Sequence, residues 1–244
     1  MIQIEKLSSN HVWIDGVRCY SIDGAVRPGV TSVLSAGPEP EWLTKWKESK
    51  GPVEAERIRN TAANRGTLLH YKIEGFFGEA RGPVPTFEED QPDIAMVDRM
   101  FELVTPVLER IQPIAIEAAV QWSCNDPLIG NGFAGTVDML ATIEPPGGGA
   151  PVPVVMDWKS STRPIRQQKQ RDSKVHKYLL QLAAYRAALR QCYPEQLSEL
   201  KTAMAVVIPQ SGPLQAFEFE EHELLAAEIE FVGLLRRYYK DREG

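Results

Sequence analysis

Val152-Pro153-Val154-Val155-Met156-Asp157-Trp158-Lys159 is an apolar run that ends on two opposite charges one residue apart. A short run of this kind, rich in β-branched residues, reads as a buried strand. Residues i and i+2 of a strand point to the same face, so the Asp157 carboxylate and the Lys159 ammonium project together. Upstream, Asp138 is embedded in a second apolar stretch, Gly135-Thr136-Val137-Asp138-Met139-Leu140. Charges seldom sit unpaired in apolar surroundings, so two such acids on neighbouring strands point to one site. Carboxylates suit a hard divalent cation, and the lysine beside them suits an anionic substrate. Together they are groups for hydrolysing a phosphodiester.

Outward from this pair, strands are expected over 114–122, Phe133–Ile143 and 152–158. Asn131-Gly132 helps the turn between the first two, and Pro145-Pro146-Gly147-Gly148-Gly149 makes a flexible connection after the second. Nearer the N-terminus, Asp15-Gly16 between alternating apolar residues predicts a hairpin. Residues 28–34 enter a short helix or turn. Residues 39–50 form a helix carrying Trp42, Leu43 and Trp46, and another begins near Pro52 and is interrupted at Gly66. Residues 79–92 are an exposed loop, and 94–111 a helix bent near Pro106. After the strands come a long amphipathic helix over 172–192, strands over 203–208 and 214–219, and a last helix over Glu221–Lys240. This order implies an α/β fold in which helices flank both faces of a mixed central sheet. It is read as one domain over 1–244, with a hairpin and helical part in 1–111 and the catalytic core in 112–244.

Composition narrows the function. The chain of 244 residues is 43% hydrophobic and 25% charged, ordinary for a globular protein. A formal net charge of -6 means that affinity for nucleic acid has to come from a local basic patch or from metal ions. Three cysteines, Cys19, Cys124 and Cys192, make neither a disulfide framework nor the four thiolates of an iron–sulfur cluster. The N-terminus lacks an apolar signal core and the Arg-rich look of a transit peptide, and no stretch suits a membrane span. The expected setting is a reducing cytoplasm.

Other residues extend the site. Glu117 is an acid within an apolar run on the first strand, balanced between a metal ligand and a solvent-facing residue. His70 lies on a helix; alone it reads as an ordinary core or surface histidine, but manganese accepts an imidazole where magnesium prefers carboxylates, carbonyls and water. Lys159 would stabilise charge building on phosphorus or orient the attacking water. The segment after Lys159 is basic, with Arg163, Arg166, Lys169 and Lys174, and suits a phosphate backbone. Gln181 and Tyr185 share a helix face. Trp42 and Trp46 suit stacking on unpaired bases, although core packing is the commoner use.

These residues resemble the PD-(D/E)xK nuclease superfamily, in its RecB-type branch. Asp138 matches the first aspartate, Asp157-Trp158-Lys159 the (D/E)xK element, and Gln181-Leu182-Ala183-Ala184-Tyr185 the Gln-x-x-x-Tyr helix. Arg65-Gly66-Thr67-Leu68-Leu69-His70 is similar to the branch's N-terminal histidine motif. Pro28-Gly29-Val30-Thr31-Ser32-Val33-Leu34, Trp42 to Trp46, and Asp157-Trp158-Lys159-Ser160-Ser161 resemble the group that includes the mitochondrial genome maintenance exonuclease and its phage and bacterial relatives. The resemblance implies a restriction-endonuclease-like core and a DNA exonuclease that uses one or two Mg2+ or Mn2+ ions and acts on single strands or free ends. It implies Asp138, Asp157, Glu117, His70 and the Trp158 carbonyl around the metal, and Lys159 at the nucleophilic water. Gln181 would position Lys159 or the DNA, and Tyr185 would support the site or contact DNA. Partners would be DNA and recombination or replication proteins, in a bacterial or phage-infected cell. A structure-specific endonuclease, or a binding module that has lost catalysis, fits the same motifs. The cysteine quartet of the branch's iron–sulfur members and a helicase-type phosphate loop are both missing.

Overall fold

The computed structural model describes residues 2–80, 82–144, 148–168 and 171–242. Pro145, Pro146 and Gly147 of the expected flexible connection, and Lys169 of the basic run, lie outside the described residues. The chain opens with an antiparallel three-stranded sheet, β1 (Asn10–Ile14), β2 (Val17–Ile22) and β3 (Ala25–Pro28). Asp15 and Gly16 turn the first hairpin with φ of 50° and 73°, the left-handed pair a two-residue I′ turn requires. Asp23-Gly24 repeats the device at 52° and 76° and adds the third strand.

Four helices follow: α1 (Val30–Leu34), α2 (Glu41–Lys50), α3 (Pro52–Phe76) and α4 (Ile94–Leu108). Gly66 does not interrupt α3, which runs unbroken through it. Packing of a long helix outweighs the roughly 1 kcal/mol propensity cost of one glycine. α4 starts at an Asp93 cap that accepts from the Met96 amide at 3.1 Å, and it stops at Leu108, with Pro106 in its last turn. Ile111, expected to end this helix, instead begins a strand. α2 buries none of its residues, so Trp42 and Trp46 are not core side chains.

The central sheet has five strands in the order β4 (Ile111–Trp122), β5 (Phe133–Ile143), β6 (Val152–Ser161), β7 (Thr202–Pro209) and β8 (Gln215–Phe219). Only β6 and β7 run parallel, and α5 (His176–Cys192) is the crossover between them. A π-helical turn, Arg171–Val175, leads into α5, and α6 (Glu221–Lys240) closes the chain. The sheet is buried on both faces. On one side Val154, Met156 and Trp158 of β6 pack with Leu69 and Ile73 of α3 and Val97 and Met100 of α4. On the other, Val155 packs with Leu182 of α5 and Phe231 of α6. Asp157 and Lys159 therefore follow Val155 toward α5.

The long helix expected over 172–192 begins at His176 and is buried well beyond a single face. Every residue from Leu180 to Arg186 is buried, because the helix is clamped between sheet and α6. Even Arg186 is fully buried, bonded to Glu228 Oε1 at 2.8 Å. Gly135 lets α5 come close: a Cβ there would sit 2.7 Å from the Tyr185 ring. Gly135→Ala is expected to lower stability in urea denaturation by about 1–3 kcal/mol through overpacking, and Gly135→Ala/Tyr185→Leu to recover part of that loss.

Candidate active site

β5 and β6 are paired as far as Met139↔Met156 and then part. The first residues beyond the last pair are Asp138 and Asp157. Asp138 fills the missing rung with its side chain, since its Oδ2 accepts the Trp158 amide at 2.9 Å. Opposite on β4, the register places Glu117 across from Asp138, between the pairs Ile116↔Met139 and Ala118↔Val137. Glu117 has a φ of 48°, a left-handed backbone inside a strand. Face alternation slips at this point: Ile116 and Met139 pack on the α3–α4 side, Ala118 and Val137 on the α5–α6 side. A strained residue at a break in the sheet is a common mark of a functional position.

The break opens into a cavity of about 540 Å³. His70, Glu117, Asp138 and Asp157 line it, as do Trp158, Lys159, Gln181 and Tyr185. Ligand atoms of His70, Glu117 and Asp138 lie within 4.8 Å of one another, a spacing one cation could bridge. His70 Nε2 donates to the Trp158 carbonyl at 2.9 Å, and its Nδ1 is 3.8 Å from Asp138 Oδ2. Asp157 stands beside this trio and not within it. Its Oδ2 lies 2.5 Å from Lys159 Nζ but off the line of a hydrogen bond, leaving that oxygen without an aligned donor. Lys159 Nζ donates to Gln181 Oε1 at 2.9 Å, and Gln181 Nε2 donates to Tyr185 Oη at 3.3 Å. The Tyr178 ring faces the same ammonium at 5.5 Å.

Burial sets the charge states. Asp157 is 2% exposed, and its desolvation, reinforced by Asp138, pushes its carboxyl up to about 6 against the pull of Lys159. Burial opposes the charge on Lys159, yet Asp157 and Asp138 outweigh it and hold the ammonium above the ordinary lysine value. For His70 burial again opposes charge, and Asp138, Asp157, the Trp158 carbonyl and Glu117 override it, so the imidazole pKa rises. The cavity thus concentrates negative charge that attracts cations. The donors, two carboxylates and an imidazole with a carbonyl alongside, suit magnesium or manganese.

Not every expected residue converges. Arg163, Arg166 and Lys174 are exposed on the segment that leaves β6, and none lines the cavity. Tyr185, grouped with the DNA-contacting residues from sequence, is 4% exposed; it buttresses Gln181 from beneath. Glu74, one turn beyond His70, also lines the cavity. Sequence reasoning missed His11, Arg18 and Tyr20, which line the cavity from the N-terminal sheet. The signal available was their alternation along two hairpin strands.

The family model of the PD-(D/E)XK nuclease superfamily matches residues 47–242. Among solved structures, a candidate exonuclease from Eubacterium rectale matches with a TM-score of 0.46 and 14% identity, over 75% of this chain and 69% of that one. No curated protein sequence matches the chain. The family match and the cavity, not the structural neighbour, carry the reading that follows.

Left-handed backbone costs a non-glycine residue about 1–2 kcal/mol. Glu117→Gly is therefore expected to raise stability in chelator by about 1 kcal/mol in denaturant titration, because it relieves strain and removes a crowded carboxylate. The same variant should lose nuclease activity.

Proposed function

The chain belongs to the PD-(D/E)XK nuclease superfamily, with its restriction-endonuclease-like fold, and on that premise we propose that it is a Mg2+- or Mn2+-dependent exonuclease that degrades single-stranded DNA from a free end. The observation that carries this reading is the convergence of the His70, Glu117 and Asp138 donors with the Asp157–Lys159 pair in one cavity. His70, Glu117 and Asp138 would hold the ion, with Asp157 and the Trp158 carbonyl bordering it. A divalent ion held there polarises the phosphate and lowers the pKa of a bound water.

The remaining roles fall to the protein. Lys159 is kept charged by its acidic neighbours, so it acts as a fixed positive charge that orients the water and stabilises the phosphorane-like transition state, not as a base. Gln181 fixes the ammonium from α5, and Tyr185 fixes Gln181, so both are positioning residues. The exposed Arg163, Arg166 and Lys174, with Lys169, would follow the backbone of DNA leaving the cavity. No helix among the described residues is long and apolar enough to cross a membrane.

End-labelled linear single strands, linear duplexes and circular single strands, incubated with Mg2+, Mn2+ or chelator, test the proposal. Mononucleotides or short products from linear single strands, with circles intact, are expected. Cleavage of the circle overturns exonuclease action, and binding without cleavage in every condition overturns catalysis. Asp157→Asn and Lys159→Met keep side-chain size while removing the charge, and should cut kcat by at least about 100-fold while circular dichroism stays native.

Metal binding has its own readout. A cation relieves repulsion among clustered acids and stabilises only the folded state. Mn2+ or Mg2+ is expected to raise the melting temperature of the wild type by several degrees, and Asp138→Asn should abolish that rise. An unchanged melting temperature in wild type at millimolar metal would rule out the site.

A further inference from the structure

The face of the N-terminal sheet that lines the cavity does not stop at its rim. In the β1–β2 register His11 pairs with Tyr20, and Trp13 pairs with Arg18. Directly paired residues, and residues two apart along a strand, share a face. His11, Trp13, Arg18, Tyr20 and Ile22 therefore form one continuous surface. Its inner end is buried: Tyr20 and Ile22 pack on Ala119 of β4 and Ala134 of β5. Its middle, with His11, Arg18 and the edge of Tyr20, overhangs the cavity. Its outer end is Trp13, 71% exposed.

Arg18 is held in place without being neutralised. Its guanidinium donates to Tyr20 Oη at 3.1 Å and lies 5.6 Å from the Tyr20 ring centroid. Among the described residues no carboxylate forms an ion pair with it. An oriented, unneutralised cation beside a cavity rich in carboxylates has a natural counter-charge in a phosphate of the substrate. An exposed indole directly across the strand pair from that cation presents a flat face next to the phosphate path. Base stacking on an aromatic ring is available to an unpaired strand and not to a stacked duplex.

We propose that this face is the single-strand platform of the enzyme, with Arg18 gripping a backbone phosphate at the cavity mouth and Trp13 stacking on a neighbouring unpaired base. The proposal rests on the nuclease reading and deepens it, since it makes selection of unpaired DNA a property of the N-terminal sheet.

The test is fluorescence anisotropy with a labelled oligothymidine and a blunt duplex, in chelator so that nothing is cut, followed by steady-state digestion with Mg2+. Trp13→Ala is expected to weaken oligothymidine binding about tenfold, the scale of one stacked base, with duplex affinity unchanged. Trp13→Phe should retain most of the wild-type affinity. In digestion, Trp13→Ala should raise KM about tenfold and leave kcat alone. Arg18→Ala should flatten the slope of log affinity against log salt by about 0.7, the share of one phosphate on a single strand, and Arg18→Lys should restore it. Equal affinity of Trp13→Ala and wild type for oligothymidine, or equal losses on single strand and duplex, overturns the platform. A wild type that cuts DNA while Trp13→Ala keeps its KM sinks the platform alone. A wild type that binds unpaired DNA through Trp13 and cuts nothing sinks the nuclease reading and leaves the platform standing.

Discussion

The architecture of the site depends on two strands coming apart. β5 and β6 hold their ladder to Met139↔Met156 and then diverge, and an unpaired backbone amide at that point would carry a desolvation cost of about 1–3 kcal/mol. Asp138 meets the need with its own side chain by accepting the Trp158 amide. One carboxylate thereby closes the ladder and faces the cavity. The same parting frees Asp157 and Lys159 from cross-strand neighbours on the β5 side, so the lysine turns to Gln181 on α5 for its partner. Glu117 adopts its left-handed backbone directly opposite the break. The strain and the charge crowding are concentrated in one place.

Such a site works against stability. Asp157 is buried beside Lys159, and desolvation, reinforced by Asp138, pushes its carboxyl up to about 6. Burying an ion pair costs desolvation energy that its attraction seldom fully offsets. The surrounding core supplies the difference. Apolar side chains cover the sheet on both faces, with α3 and α4 on one side and α5 and α6 on the other. The tight seating of Tyr185 against Gly135 fixes α5 at a distance where Gln181 reaches the ammonium.

Much of this was legible in the sequence. Acids inside apolar runs marked Asp138 and Asp157, period-2 geometry put Lys159 on the face of Asp157, and i, i+4 spacing linked Gln181 to Tyr185. The β5 and α6 boundaries coincide with those expected. What was not legible is tertiary. Ala-rich stretches such as Leu182-Ala183-Ala184 carry little directional signal, so the burial of every residue from Leu180 to Arg186 could not be read from periodicity. Gly66 looked like a breaker because propensity ignores the packing of α3 on β6. Arg163, Arg166 and Lys174 read as a basic run for a phosphate backbone, and the chain carries them outward, exposed and away from the cavity lining. His11 and Arg18 reach the site only because the first sheet folds back over residues more than a hundred positions away.

That first sheet is fastened where the splay leaves β5 an open edge: Gly29 makes a parallel bridge to Ala134, and Arg27 donates to the Asn131 carbonyl at 2.9 Å. The fastening sets His11, Arg18 and Tyr20 along one side of the cavity, where they take the place of solvent. Coulomb forces between a lysine and a phosphate fall several-fold as the effective dielectric constant rises from about 20 toward 80. In the proposed reaction, the field that Lys159 would exert on a phosphate is therefore set in part by a wall built from the opening residues of the chain, which would shape the dielectric around chemistry carried out by later strands.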